Sequence, residues 1–265
     1  MTTIQSIIIA IVEGLTEFLP ISSTAHMKYV HSLMNIPASP FSDMFEVVIQ
    51  LAAILAVVAI YWQKFFDFKK INFYIKLIIA VIPSLVAGLL LKKHIDAALG
   101  NHAFIAVVMV LGGVFLLFVD KFFNHPEIET EDAVSNKTAF IIGCGQVLAI
   151  IFPGLSRSAA TIITGLSQKL SRSEAAEFSF FLAVPTMFAA STKSFFDTYT
   201  THPEVIGKSN LLTLLLGSVI AFIVSIIAIK FFIEFLKKHG FMVWGFYRIV
   251  VGVIMLVLIW RGVIS

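Results

Sequence analysis

The chain has 265 residues, of which 58% are hydrophobic and only 13% charged, with 26 phenylalanines. A soluble domain of this length carries roughly twice that charge, so the composition marks an integral membrane protein. The formal net charge of +3 comes without a Lys/Arg block interleaved with aromatics, which sets nucleic-acid binding aside. The single cysteine, Cys144, excludes an intrachain disulfide and any cysteine-based metal cluster, and its apolar setting predicts a buried small residue.

In chain order, residues 4–19 form an apolar stretch too short to span a bilayer. It lacks a basic n-region and a small-residue cleavage site, and it carries Glu13 and Glu17, so it is expected to stay in the mature protein rather than act as a signal peptide. The stretch halts at Pro20 inside the cluster Glu13-Gly14-Leu15-Thr16-Glu17-Phe18-Leu19-Pro20-Ile21-Ser22-Ser23-Thr24-Ala25-His26, and a short helical stretch follows at 26–34. Three spans are predicted next, at about 45–62, 73–91 and 103–119. The acidic segment 123–136, with Glu127, Glu129, Glu131 and Asp132, reads as a solvated linker.

The pattern then recurs. Residues 138–152 are again apolar but short, ending at the cluster Pro153-Gly154-Leu155-Ser156-Arg157-Ser158-Ala159-Ala160-Thr161, with a second helical stretch at 162–170. Spans are predicted at about 175–191, 211–232 and 242–260. Each short pair reads as a re-entrant hairpin, because non-helical backbone at membrane depth survives only when buried in protein or lining a wet cavity. A Pro-kinked ordinary span is the alternative.

At an offset of 133, Pro20 falls on Pro153, Glu13 on Gln146 and Ser23 on Ser156. One hairpin plus three spans per copy is an odd number of crossings, so the second copy lies inverted. The expected fold is therefore an all-α polytopic membrane protein: one membrane domain, 1–265, with inverted repeats at about 1–122 and 137–265. Lys64, Lys69, Lys70, Lys121, Lys137, Lys169, Arg172, Lys237 and Lys238 share one predicted face. Lys28, Lys92, Lys93, Lys193, Lys208 and Arg261 share the other, so the first set is placed in the cytoplasm. The first hairpin then opens outward. Gly112-Gly113 and Gly143/Gly145 permit close helix packing, within the chain or in a homodimer.

Ionisable groups at membrane depth are costly and mark function. Glu13 and Glu17 lie four apart on one helical face, and two such carboxylates in low dielectric call for a cation or a shifted proton. Ser22, Ser23 and Thr24 add hydroxyls, and His26 a base beyond the turn, which together hold the parts of an activated nucleophile. The second cluster adds Arg157, a planar cation suited to phosphate oxygens. Gly154 allows close backbone approach, Ser156, Ser158 and Thr161 add donors, and a helix N-terminus points the same way. The combination reads as phosphoryl chemistry on an amphiphile whose tail stays in the bilayer.

These two clusters, with Phe45-Glu46-Val47-Val48-Ile49-Gln50-Leu51 and the run from Glu177 to Pro185, resemble the signatures of the undecaprenyl-diphosphate phosphatases over the full chain. The one departure is Ala25, where that family usually has glycine before the histidine. The resemblance implies removal of the terminal phosphate from a C55 isoprenyl diphosphate. That reaction recycles the lipid carrier for peptidoglycan and other wall polymers and links the protein to bacitracin resistance. It also implies an inner-membrane location, a site opening to the outer face, and dependence on Mg2+ or Ca2+. By the same resemblance, Glu13 and Glu17 are acid/base and metal-binding groups, and Ser23 is the hydroxyl nearest phosphorus. His26 becomes the base or a competing nucleophile, and Arg157 the stabiliser of phosphoryl charge. Ser156 and Thr161 hold the diphosphate, while Gln50 and Glu46 line the pocket. The attacking group stays open among Ser23, His26 and water. A polyprenyl-phosphate transporter is the alternative, since it needs the same clamp; a structural or channel subunit gives no reason for buried acids facing an arginine.

Overall fold

The computed structural model describes residues 1–264, all helical apart from turns and one isolated bridge between Ile128 and Leu170. In chain order the helices are α1 (Thr3–Thr16), α2 (Ser23–Leu33), α3 (Pro40–Ile60), α4 (Trp62–Phe65), α5 (Ile71–Leu90), α6 (Lys92–Leu99) and α7 (His102–Phe122). They continue with α8 (Asn136–Ile151), α9 (Arg157–Ser167), α10 (Arg172–Thr201), α11 (Lys208–His239) and α12 (Met242–Trp260). Six of them, α3, α5, α7, α10, α11 and α12, are long and apolar enough to cross a membrane. The protein is therefore a multi-pass helical membrane protein.

Helix starts follow the local chemistry. Thr2 and Gln5 form a capping box at α1, Ser39 caps α3 with Pro40 at the first helical position, and Asn101, Ser135 and Ser171 cap α7, α8 and α10. The helices α10 and α11 run past the predicted apolar spans, because polar residues continue the helix until His202-Pro203 and Gly240 stop it. The amphipathic α6 was not anticipated at all.

The most extensive packing joins helices that are not adjacent in sequence, α7 on α12, α5 on α8, α3 on α10 and α11, and α1 on α11, while α9 packs on its sequence neighbours α8 and α10. A knot of edge-to-face rings, Phe65, Phe73 and Tyr61 around Phe181, closes the end of the bundle near α4. Gly143 abuts Ala80 on α5 and Gly113 abuts Gly245 on α12, so these small residues serve contacts within the chain.

Two expectations fail. Cys144 is exposed, because α8 packs through the faces of its neighbours Gly143 and Gly145 and turns residue 144 outward. The acidic linker is not simply solvated: Glu131 is buried beside the equally buried Lys76 of α5, whose Nζ donates to the Glu131 carbonyl at 2.7 Å. A lysine inside the bundle needs such acceptors, and the linker folds in to supply them.

Candidate active site

The helices α1 and α8 stop short, and each chain turns once before a new helix begins. Both new helices start inside the polar clusters. Ser22 (φ 71) and Ser156 (φ 76) are N-caps in the left-handed region, and each Oγ accepts from the amide three residues on, Ala25 and Ala159, at 3.3 Å. Ser23 and Arg157 thus become the first residues of α2 and α9, one turn earlier than predicted. Ala25 sits in ordinary helix and needs no glycine. Gly154 does need to be glycine: its φ is +99, and a Cβ there would lie 2.4 Å from the Ile105 carbonyl oxygen of α7.

The two breaks meet around one cleft of about 330 Å³, whose walls include Glu17, Ser22, Ser23, Thr24, Gln50, Gly154, Ser156 and Arg157. Inside it, the Ser23 hydroxyl donates to Glu17 Oε2 at 2.6 Å. Arg157 Nη2 donates to the other oxygen, Oε1, at 2.7 Å, while its Nη1 donates to the Ser179 carbonyl at 3.1 Å. A hydroxyl, a carboxylate that receives its hydrogen bond and a cation that orients the carboxylate therefore stand in one line. This is the nucleophile, base and orienter relationship of covalent catalysis. The first turns of α2 and α9 both face the cleft, and their free amides and dipoles favour an anion there.

The remaining candidates are placed elsewhere. Glu13 is fully buried behind Glu17, and neither of its carboxylate oxygens has a hydrogen-bond partner. Ser158 and Thr161 are fully buried under the cleft rather than in its wall. Ser158 donates to the Leu19 carbonyl of the first break at 2.9 Å, and Thr161 bonds the Arg157 carbonyl and the Ser179 hydroxyl. In this arrangement both hydroxyls brace the site, as hydroxyls in membrane helices commonly do. Glu46 faces Lys28 and His31 in the adjoining cavity rather than the cleft itself.

His26 is also turned away. Its Nδ1 donates to the Ser22 carbonyl at 2.8 Å, and since a carbonyl can only accept, that nitrogen carries the proton. Nε2 pairs with the Tyr247 hydroxyl at 2.9 Å, and the two rings stack. His26 is absent from the cleft wall and both its nitrogens are engaged, so in this arrangement the ring supports the Ser22 cap.

Three residues escaped the sequence reading: Ser179, Tyr247 and Arg248. The first two look like any polar residue on a membrane helix. Arg248 had a signal, a lone cation in the middle of the apolar run of α12.

Comparison with known proteins finds matches along nearly the whole chain. The family described as bacitracin resistance protein BacA matches residues 6–254. A protein of Flavobacterium johnsoniae named undecaprenyl-diphosphatase is 48% identical over 259 residues, covering 97% of this chain and 96% of the relative. Proteins of the same name from Porphyromonas gingivalis (44% identical, 99% of both chains) and Enterococcus faecalis (43%, 96% of both) also align end to end.

Proposed function

The chain belongs to the BacA bacitracin-resistance family, and from that membership and the cleft we propose how it works as an undecaprenyl-diphosphate phosphatase. It is a membrane hydrolase that converts undecaprenyl diphosphate to the monophosphate and inorganic phosphate, returning the lipid carrier to cell-wall synthesis. One observation carries the mechanism: the 2.6 Å hydrogen bond from Ser23 to a carboxylate that Arg157 holds from its other side.

Ser23 Oγ attacks the terminal phosphorus as its proton passes to Glu17. The bond to the bridging oxygen breaks, and the lipid monophosphate leaves. Water then attacks the phosphoserine, inorganic phosphate departs, and Glu17 returns the proton to Ser23. Positioning and charge stabilisation dominate phosphoryl transfer. Arg157, the Ser156 hydroxyl and the amides at the starts of α2 and α9 supply both, with Thr24 and Gln50 on the cleft wall beside them.

The donor set suits a hard divalent cation such as Mg2+ or Ca2+. Glu13 offers two buried oxygens without partners, and Glu17 lies one turn away. Among the described residues no cluster of three His, Cys, Asp or Glu could hold a metal alone, so the diphosphate oxygens would complete the ligands. The ion would neutralise charge on the diphosphate.

The breaks are read as re-entrant hairpins within two inverted repeats. Reciprocal packing supports this: α1 lies on α11 and α8 on α5. Ile95 and Leu99 of α6 line the cleft, beside Lys92 and Lys93 of the less cationic face. That supports a site open to the outer side of the bacterial inner membrane. Transport alone is not favoured, since a carrier needs no hydroxyl aimed at a base.

The test is phosphate release from farnesyl diphosphate and its C55 homologue by purified protein in detergent, with and without excess chelator. Metal-dependent release that Ser23→Ala abolishes supports the reading. No release under any metal, with lipid phosphate still bound through Arg157, would turn it toward transport.

A further inference from the structure

The mechanism above leaves one buried cation without a task. Arg248, midway along α12, is fully buried, and its four hydrogen bonds all go to backbone carbonyls. Nη1 donates to Pro20 at 3.1 Å and to Leu155 at 2.7 Å, Nη2 to Gly154 at 2.8 Å, and Nε to Met109 of α7 at 3.2 Å. Pro20 belongs to the first break, Gly154 and Leu155 to the second. One guanidinium therefore clasps both interruptions at once. Carbonyls in non-helical backbone at this depth have no water to turn to, so a donor must come from the protein.

The fold makes room for this clasp. A Cβ at Gly112 of α7 would lie 2.4 Å from Arg248 Nη2, and one at Gly113 would lie 2.9 Å from Arg248 Cβ. The pair is thus a slot for the arginine as well as a packing face. Chemistry singles out arginine too: a planar fork with five N–H donors reaches carbonyls on separate segments, whereas lysine offers three donors from one atom.

We propose that Arg248 is a positioning residue for phosphoryl transfer. It sets the separation of the two breaks so that Ser23 and Glu17 on one side, and Arg157 on the other, converge on the same phosphorus. The catalytic consequence rests on the phosphatase reading; the structural one stands on the hydrogen bonds alone.

The test uses full-length protein with two readouts. Spin labels at Leu33→Cys and Ser167→Cys, both exposed and at the far ends of α2 and α9, report the relation of the two breaks in a Cys144→Ser background. Phosphate release reports kcat and KM separately. Arg248→Lys should broaden or shift the distance distribution and lower kcat about 100-fold, as ångström-scale misplacement does, with KM within about threefold because the lipid tail still binds. Gly112→Ala should do the same in weaker form; it favours helix and covers the case in which Arg248→Lys does not fold. An unchanged distribution in these variants overturns the proposal, and so does a changed one with wild-type kcat. If the wild type itself releases no phosphate, the phosphatase reading falls instead, and the distances still decide whether Arg248 sets the breaks.

Discussion

Ser22 and Ser156 occupy the same backbone position in the two turns: each caps its helix from a φ above 70°, and each places the next residue in the wall of the cleft. On one side that next residue is Ser23, on the other Arg157. Ser23 and Arg157 are thus delivered by a shared device, at an offset of 134 rather than the 133 that aligns the prolines. The difference of one arises after the prolines, since Pro20 lies two residues before its cap and Pro153 three before its own.

Ser23→Ala removes the hydroxyl that donates to Glu17. Phosphate release should drop by about a thousandfold or more in kcat, as for loss of a nucleophile. A stopped assay on wild type should trap phosphoserine at this residue by mass spectrometry, and its absence there would point to direct attack by water.

Arg157→Lys keeps the charge but cannot span Glu17 and the Ser179 carbonyl together. We expect kcat to fall by roughly a hundredfold or more and Arg157→Ala to fall further, toward the 10³-fold scale of arginine clamps in phosphoryl transfer. Steady-state kinetics on matched preparations decides the order.

His26→Asn and His26→Ala should separate. Asparagine can still donate to the Ser22 carbonyl in place of Nδ1, so its activity should stay within about tenfold of wild type, the scale of one hydrogen bond. Alanine leaves that carbonyl unanswered and should do worse. Equal and total loss in both would return His26 to the chemistry.

Glu13→Gln removes a carboxylate ligand while keeping shape. Half-saturation by Mg2+ or Ca2+ should move to about tenfold higher concentration or more, with activity partly recovered in excess metal. A metal titration of initial rates reads this directly, and an unshifted curve would free Glu13 of any metal role.

Gly154→Ala meets both a left-handed φ and the Ile105 carbonyl. The backbone term alone is about 1–2 kcal/mol, and the clash adds to it. The thermal midpoint in detergent should fall clearly, whereas Gly88→Ala inside α5, where a Cβ meets nothing within 4 Å, should leave it in place or raise it slightly.

Much of this protein was legible in the one-dimensional chain. Hydropathy located the six long helices because a bilayer demands about twenty apolar residues per crossing. Two polar clusters stood out because charge in that setting is expensive, and their residues carried the family resemblance that the relatives bear out. What hydropathy could not read was partnership. Periodicity says that Ser158, Thr161 or His26 lies on some face of some helix, and composition that Glu131 lies in a linker, but the partner opposite each comes from another segment of the chain. Lys76 reaching the linker, Tyr247 taking the His26 ring and Ser179 receiving Arg157 are all of that kind.

The sequence by itself therefore determined the membrane class, the six long helices, the family and the two breaks, because these follow from local composition and the solvent the chain must satisfy. Only the tertiary structure decided that Glu17 rather than His26 faces Ser23, that Ser158 and Thr161 brace the cleft instead of lining it, and that Arg248 ties the breaks together. Hydrogen bonds across helices depend on ångström-scale packing, and that is a property of the assembled bundle.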